Sequence, residues 1–133
     1  MSELNTIKDL ISEKCFNEAK KELETYFSNG HEDDIEAIKL MGLVNINLNL
    51  FEVAKNIFEK AIKISPDDAT ALFYLANCHD SLGNLVDAEK YYNQLLKIRE
   101  GYIDAYKNLC IIYLKTGREL NAIELATKAK SNR

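Results

Sequence analysis

The stretch Leu72-Phe73-Tyr74-Leu75-Ala76-Asn77-Cys78-His79-Asp80-Ser81-Leu82-Gly83-Asn84-Leu85-Val86-Asp87-Ala88 decides the fold. Leu72, Leu75, Ala76 and His79 follow the three- and four-residue steps of a helix face. Gly83 then breaks the pattern, and a second stripe runs through Ala88, Tyr92 and Leu95. The same layout recurs 34 residues to either side: Gly42, Ala76 and Cys110 share one place, Ala54, Ala88 and Ala122 another. Ala37, Ala71 and Ala105, then Met41, Leu75 and Leu109, then Asn49, Gly83 and Gly117, keep the same interval. A fixed period of this length marks a repeat array, each unit of which buries its apolar face only by stacking on its neighbours.

Each unit reads as two helices. Ile38, Met41, Gly42 and Asn45 open one unit; Leu72, Leu75, Ala76 and His79 the next; Tyr106, Leu109, Cys110 and Tyr113 the third. Asn49, Gly83 and Gly117 accept the left-handed conformation that ends a helix. The second stripes are Ala54, Phe58 and Ala61, then Ala88, Tyr92 and Leu95, then Ala122, Ala126 and Ala129. Ser65-Pro66-Asp67-Asp68 links two units, proline stopping one helix and an aspartate capping the next. In antiparallel pairs Gly42 faces Ala54, Ala76 faces Ala88 and Cys110 faces Ala122, so the two backbones approach closely.

Composition agrees with a folded helical chain: of 133 residues 47% are hydrophobic and 29% charged, with one proline and five glycines. At a net charge of −4 a nonspecific grip on nucleic-acid phosphates, which needs a clustered positive surface, is not expected, although an acidic balance leaves room for a local basic patch. No apolar run approaches the roughly 20 residues that span a bilayer, and Met1-Ser2-Glu3-Leu4 does not read as a signal peptide, so no membrane association is expected and the expected location is cytoplasmic. Cys15, Cys78 and Cys110 have no zinc-like spacing, and read as packing thiols. Cys78-His79-Asp80 looks more chemical, yet consecutive helical residues point about 100° apart and do not converge on one substrate or metal. No metal, cofactor or catalytic residue is expected, since phosphate loops, HExxH and nucleophile elbows are all missing.

The pattern resembles the tetratricopeptide repeat family. Leu72, Leu75, Ala76, His79, Leu82-Gly83-Asn84-Leu85, Ala88, Tyr92 and Leu95 carry the resemblance; Tyr106, Leu109, Cys110, Tyr113, Gly117 and Ala122 repeat it, as do Ile38, Met41, Gly42, Phe51, Ala54, Phe58, Ala61 and Pro66. The family's tryptophan is replaced by Ile38, Leu72 and Tyr106. A degenerate first copy covers 1–30, with Lys8 in the place of Gly42 and a turn at Lys14-Cys15 one residue shorter; clear copies cover 35–68, 69–102 and 103–131, the last incomplete. The chain thus reads as one all-α domain, 1–133.

The resemblance implies a right-handed superhelix, an α-solenoid of about four antiparallel hairpins, whose first helices line a concave groove that holds a peptide of a partner protein. Residues left over from the packing stripe are Lys39, Leu43, Ile46 and Asn47 on one helix, Phe73, Asn77 and Asp80 on the next, and Lys107, Ile111 and Leu114 on the third. Their apolar members predict an apolar groove with a polar edge, in which Phe73 and Leu114 are exposed. Asn77 and Asn108 stand where the family's carboxylate clamps have asparagines, but Phe73 replaces the accompanying lysine, so binding of a chaperone tail is not expected. The function so implied is a non-catalytic scaffold for protein interaction. Two alternatives stand beside it: an interaction arm of a larger enzyme or assembly, and self-association, as a homodimer, through Leu120, Ile123 and Leu125 of the last helix.

Overall fold

A computed structural model describes residues 2–131; Met1, of the opening read for a signal peptide, and Asn132 and Arg133 lie outside the described residues. Eight helices follow one another among those described: α1 (Glu3–Ser12), α2 (Phe16–Ser28), α3 (Ile35–Asn47), α4 (Phe51–Ile64), α5 (Ala69–Ser81), α6 (Leu85–Ile98), α7 (Ile103–Lys115) and α8 (Glu119–Ser131). Consecutive helices pack as hairpins, and each hairpin leans on the next through its second helix, α2 on α3, α4 on α5 and α6 on α7. No described helix is long and apolar enough to cross a membrane.

The turns inside the hairpins share one mechanism. Lys14, Asn49, Gly83 and Gly117 take φ of 62°, 62°, 80° and 74°. The amide of the following residue then reaches back to a helix carbonyl: Cys15 to Leu10, Leu50 to Asn45, Asn84 to His79 and Arg118 to Tyr113, each at 2.8 Å. This bond satisfies a carbonyl that the helix end would otherwise leave open. Between hairpins the start of the next helix is fixed by an aspartate in two cases. Asp34 Oδ1 accepts from the amides of Glu36 and Ala37 at 3.1 and 3.3 Å, and Asp68 Oδ1 from Ala71 at 2.9 Å.

The core runs along the stack as three clusters, each closed by the first helix of the following hairpin. Ile7, Ala19 and Leu23 are closed by Ala37 and Val44. Ile38, Ala54, Phe58 and Ala61 are closed by Ala71, Leu75 and Cys78. Leu72, Ala76, Ala88, Tyr92 and Leu95 are closed by Ala105, Leu109 and Ile112. Gly42 is small for a specific reason: a Cβ there would run into the ring of Phe58, so the close approach in this hairpin is to Phe58. Cys110 does face Ala122, its Sγ lying 3.5 Å from that carbonyl. Lys8, in the small-residue place of the first hairpin, carries its ammonium outward to Glu36.

Candidate functional site

The 34-residue interval places the leftover positions of α3, α5 and α7 in rows across one face. One row is Leu43, Asn77 and Ile111; the next is Ile46, Asp80 and Leu114; a third is Lys39, Phe73 and Lys107. The first two rows are apolar, polar, apolar. Ile111 and Leu114 are open to solvent, at 48% and 57% exposure. Leu43 and Ile46 are half-buried, because both also pack on the cluster closed by α5. Asn47 is exposed and its Nδ2 donates to the Leu43 carbonyl at 2.8 Å.

The middle of this face is a polar network. Asn77 Oδ1 accepts from the Tyr92 hydroxyl and from Asn108 Nδ2 at 3.1 Å, and the same Asn108 amide donates to the Tyr92 oxygen at 3.2 Å. Tyr92 is fully buried, which pushes its phenol above the ordinary range, so it stays a neutral donor. Beside the network a cleft of about 290 Å³ is lined by Ile46, Phe51, Asn77, Asp80, Ser81 and Asn108, among others. Asp80 is half-buried and meets only the Lys115 ammonium, at 4.0 Å, among the ion pairs of the described residues. It keeps acceptor capacity facing the cleft.

Two expectations from the sequence are corrected here. Phe73 is not an exposed groove aromatic: it is 9% exposed, with Tyr102, Tyr74 and Tyr92 around it at ring distances of 5.1, 5.3 and 6.2 Å. The groove is therefore polar at its centre and apolar toward α7, rather than apolar with a polar edge. Lys39 is also less free than its position suggests, since its ammonium binds Asp68 Oδ2 at 2.9 Å. Burial works to raise the Asp68 carboxyl, but the lysine and the Ala71 amide outweigh it and hold it below the ordinary carboxylate range. Lys107 is exposed. Of the last-helix candidates, Leu120 and Ile123 are 77% and 62% exposed, whereas Leu125 packs inward on the α5 to α8 cluster.

Cys78, His79 and Asp80 diverge. Cys78 lies in the core, where burial pushes its thiol up to about 12. The His79 ring stacks on Tyr91 at 5.5 Å, and Asp80 turns to the groove. Among the described residues no group of three or more histidine, cysteine or acidic side chains is arranged to hold a metal ion. Sequence reading missed Tyr92 as the hydroxyl that organises Asn77, because its place in the second stripe marked it only as packing. It also missed an apolar cleft of about 410 Å³ between α2 and α4, lined by Phe27, Ile38, Met41 and Ile57.

Residues 49–101 match the family model described as Tetratricopeptide repeat. Over that segment the chain carries the tetratricopeptide repeat. Two solved structures share the whole stack, and with it the right-handed superhelix. MamA aligns with a TM-score of 0.91 at 23% identity, over 98% of this chain and 75% of that one. YrrB, described as a TPR protein with an unusual peptide-binding site, aligns with a TM-score of 0.87 at 21% identity, over 98% of this chain and 67% of that one. At these identities the likeness is one of fold. No curated protein sequence matches. In this fold the face of α3, α5 and α7 that carries the three rows is the candidate surface.

Proposed function

We propose that the chain is a non-catalytic scaffold whose concave face binds an extended peptide with a basic or amide side chain flanked by apolar ones. One observation carries this reading: the two rows Leu43, Asn77, Ile111 and Ile46, Asp80, Leu114 are apolar, polar, apolar, and a cleft opens at their centre. Packed helices lie about 8–10 Å apart and an extended chain advances about 3.3 Å per residue, so one row step spans about three residues of ligand. The fitting segment is apolar-x-x-Lys-x-x-apolar, its lysine at Asp80 and its last apolar residue against Ile111 and Leu114. The peptide-binding site named for YrrB supports a peptide as ligand class.

A labelled peptide Leu-x-x-Lys-x-x-Leu, titrated against the chain by fluorescence anisotropy, tests this. Affinity should fall about tenfold or more with Asp80→Ala and again with Leu114→Asp, while a central glutamate in the peptide should abolish binding. Equal binding of the lysine and glutamate peptides would exclude Asp80 as the recognition group. A second reading, self-association, is favoured by the outward exposure of Val86, Leu120 and Ile123 at 83%, 77% and 62%. It predicts a mass that rises with concentration and returns to the monomer with Leu120→Lys and Ile123→Asp.

A further inference from the structure

We propose a small-molecule site apart from the concave face: the apolar cleft between α2 and α4 takes up a free aromatic amino acid, its ring on the cleft floor and its two charges at the mouth. The cleft has a volume of about 410 Å³, within the range of small-molecule sites. Its floor is formed by buried Ile38 and half-buried Phe27, Met41 and Ile57, and exposed Glu32 and Lys60 stand at its mouth. None of these belongs to the three rows of the concave face, and both walls are helices inside the stack.

The repeat itself shows what the cleft lacks, because the same seam recurs one unit on, between α4 and α6. Tyr91 stands 34 residues after Ile57, and Ile62 stands 35 after Phe27, the first turn being one residue shorter. Phe27 and Ile62 each pack on the core clusters to both sides of their seam. Tyr91 does the same, whereas Ile57 reaches the cluster of α4 and not that of α2. Leu75 is fully covered, while Met41 in the corresponding place is half-buried and lines the cleft. The seam between α2 and α4 is thus one ring short, at the place where the next seam holds a tyrosine. A ring supplied by a ligand would cover apolar surface there and meet the Met41 thioether, a favourable contact.

Glu32 and Lys60 define the polar end of the ligand. Lys60 ties α4 to the loop before α3, its Nζ donating to the Glu32 carbonyl at 3.1 Å. An ammonium has three donors, so donors remain for a ligand. Neither the Lys60 ammonium nor the Glu32 carboxylate enters an ion pair among the described residues. Two opposite, uncommitted charges beside one apolar cleft complement a zwitterion, the ligand carboxylate at Lys60 and its ammonium at Glu32. An aromatic acid without the amine would leave a like charge at Glu32, and a residue within a polypeptide brings neither charge. In the filled seam the places of Glu32 and Lys60 are held by Pro66 and Gln94, so the charge pair accompanies the open cleft alone.

L-Phenylalanine titrated into the full chain, followed by isothermal titration calorimetry, tests the site. We expect saturable binding, weakened about tenfold or more for N-acetylphenylalanine, for phenylalaninamide and for L-leucine. Ile57→Tyr introduces the residue that the next seam already carries and should abolish binding. Lys60→Met keeps an unbranched stem without the charge and should weaken binding about tenfold or more. Both are read in chains whose melting matches wild type, and Asp80→Ala on the concave face should leave binding unchanged. Absence of saturable binding would overturn the proposal, as would binding that Ile57→Tyr and Lys60→Met leave intact. Equal binding of leucine would remove the ring from recognition and overturn it too. Equal binding of N-acetylphenylalaninamide would make the occupant a side chain of a partner polypeptide, and loss on Asp80→Ala alone would put the ligand in the concave groove; either result would overturn it equally.

Discussion

Gly42 shows how one residue sets the geometry of a hairpin. Replacing a mid-helix glycine by alanine ordinarily gains about 1 kcal/mol of helix propensity, but here the new methyl meets the fully buried Phe58 ring. Overpacking of this kind costs about 1–3 kcal/mol, so Gly42→Ala should lower stability in urea denaturation, and Phe58→Leu in the same chain should relieve the loss. Asp68 links two hairpins through its charge, capping α5 while it holds the Lys39 ammonium of α3. Its carboxyl is held below its ordinary value, so the folded state binds its proton more weakly than the unfolded chain does. The stability it contributes is complete above about pH 4 and falls away as acid protonates it. Asp68→Asn should therefore be less stable than wild type at neutral pH and converge with it in acid, a difference that thermal melts across pH 3 to 7 would measure.

Among the elements, the helices and turns were legible from the sequence because their causes are local. Gly83 and Gly117 end helices through a conformation that glycine adopts without strain, and both are found there at φ of 80° and 74°. Lys14 occupies the same conformation at φ 62° with a side chain, at a cost of about 1–2 kcal/mol. Lys14→Gly should recover part of that, about 0.5–1 kcal/mol after glycine's own entropy, visible as a higher urea midpoint. The site was less legible, because exposure on the first helices is decided by the next hairpin. Phe73 and Lys39 stand at the same register, yet one is covered by Tyr102 and the other is tied to Asp68. The capping residue of the following helix, about 30 positions away, makes that difference. Asn77 was found as a position but not as part of a network, since Tyr92 and Asn108 come from two other helices.

At the scale of the whole molecule, the stack presents one face of mixed chemistry across α3, α5 and α7. That face is acidic and polar at Asp80 and Asn77, with apolar Ile111 and Leu114 beside them. A ligand with a central lysine suits it. The central claim concerns this surface, and selection from a random peptide library displayed on phage, against the immobilised chain, tests it most directly. The account predicts enrichment of peptides with a basic residue flanked at about three-residue steps by apolar ones, lost with Asp80→Ala and Leu114→Asp together and kept with Ile57→Tyr. Enriched peptides that bind the groove variant as well as the wild type, or no enrichment over a blank surface, would contradict it.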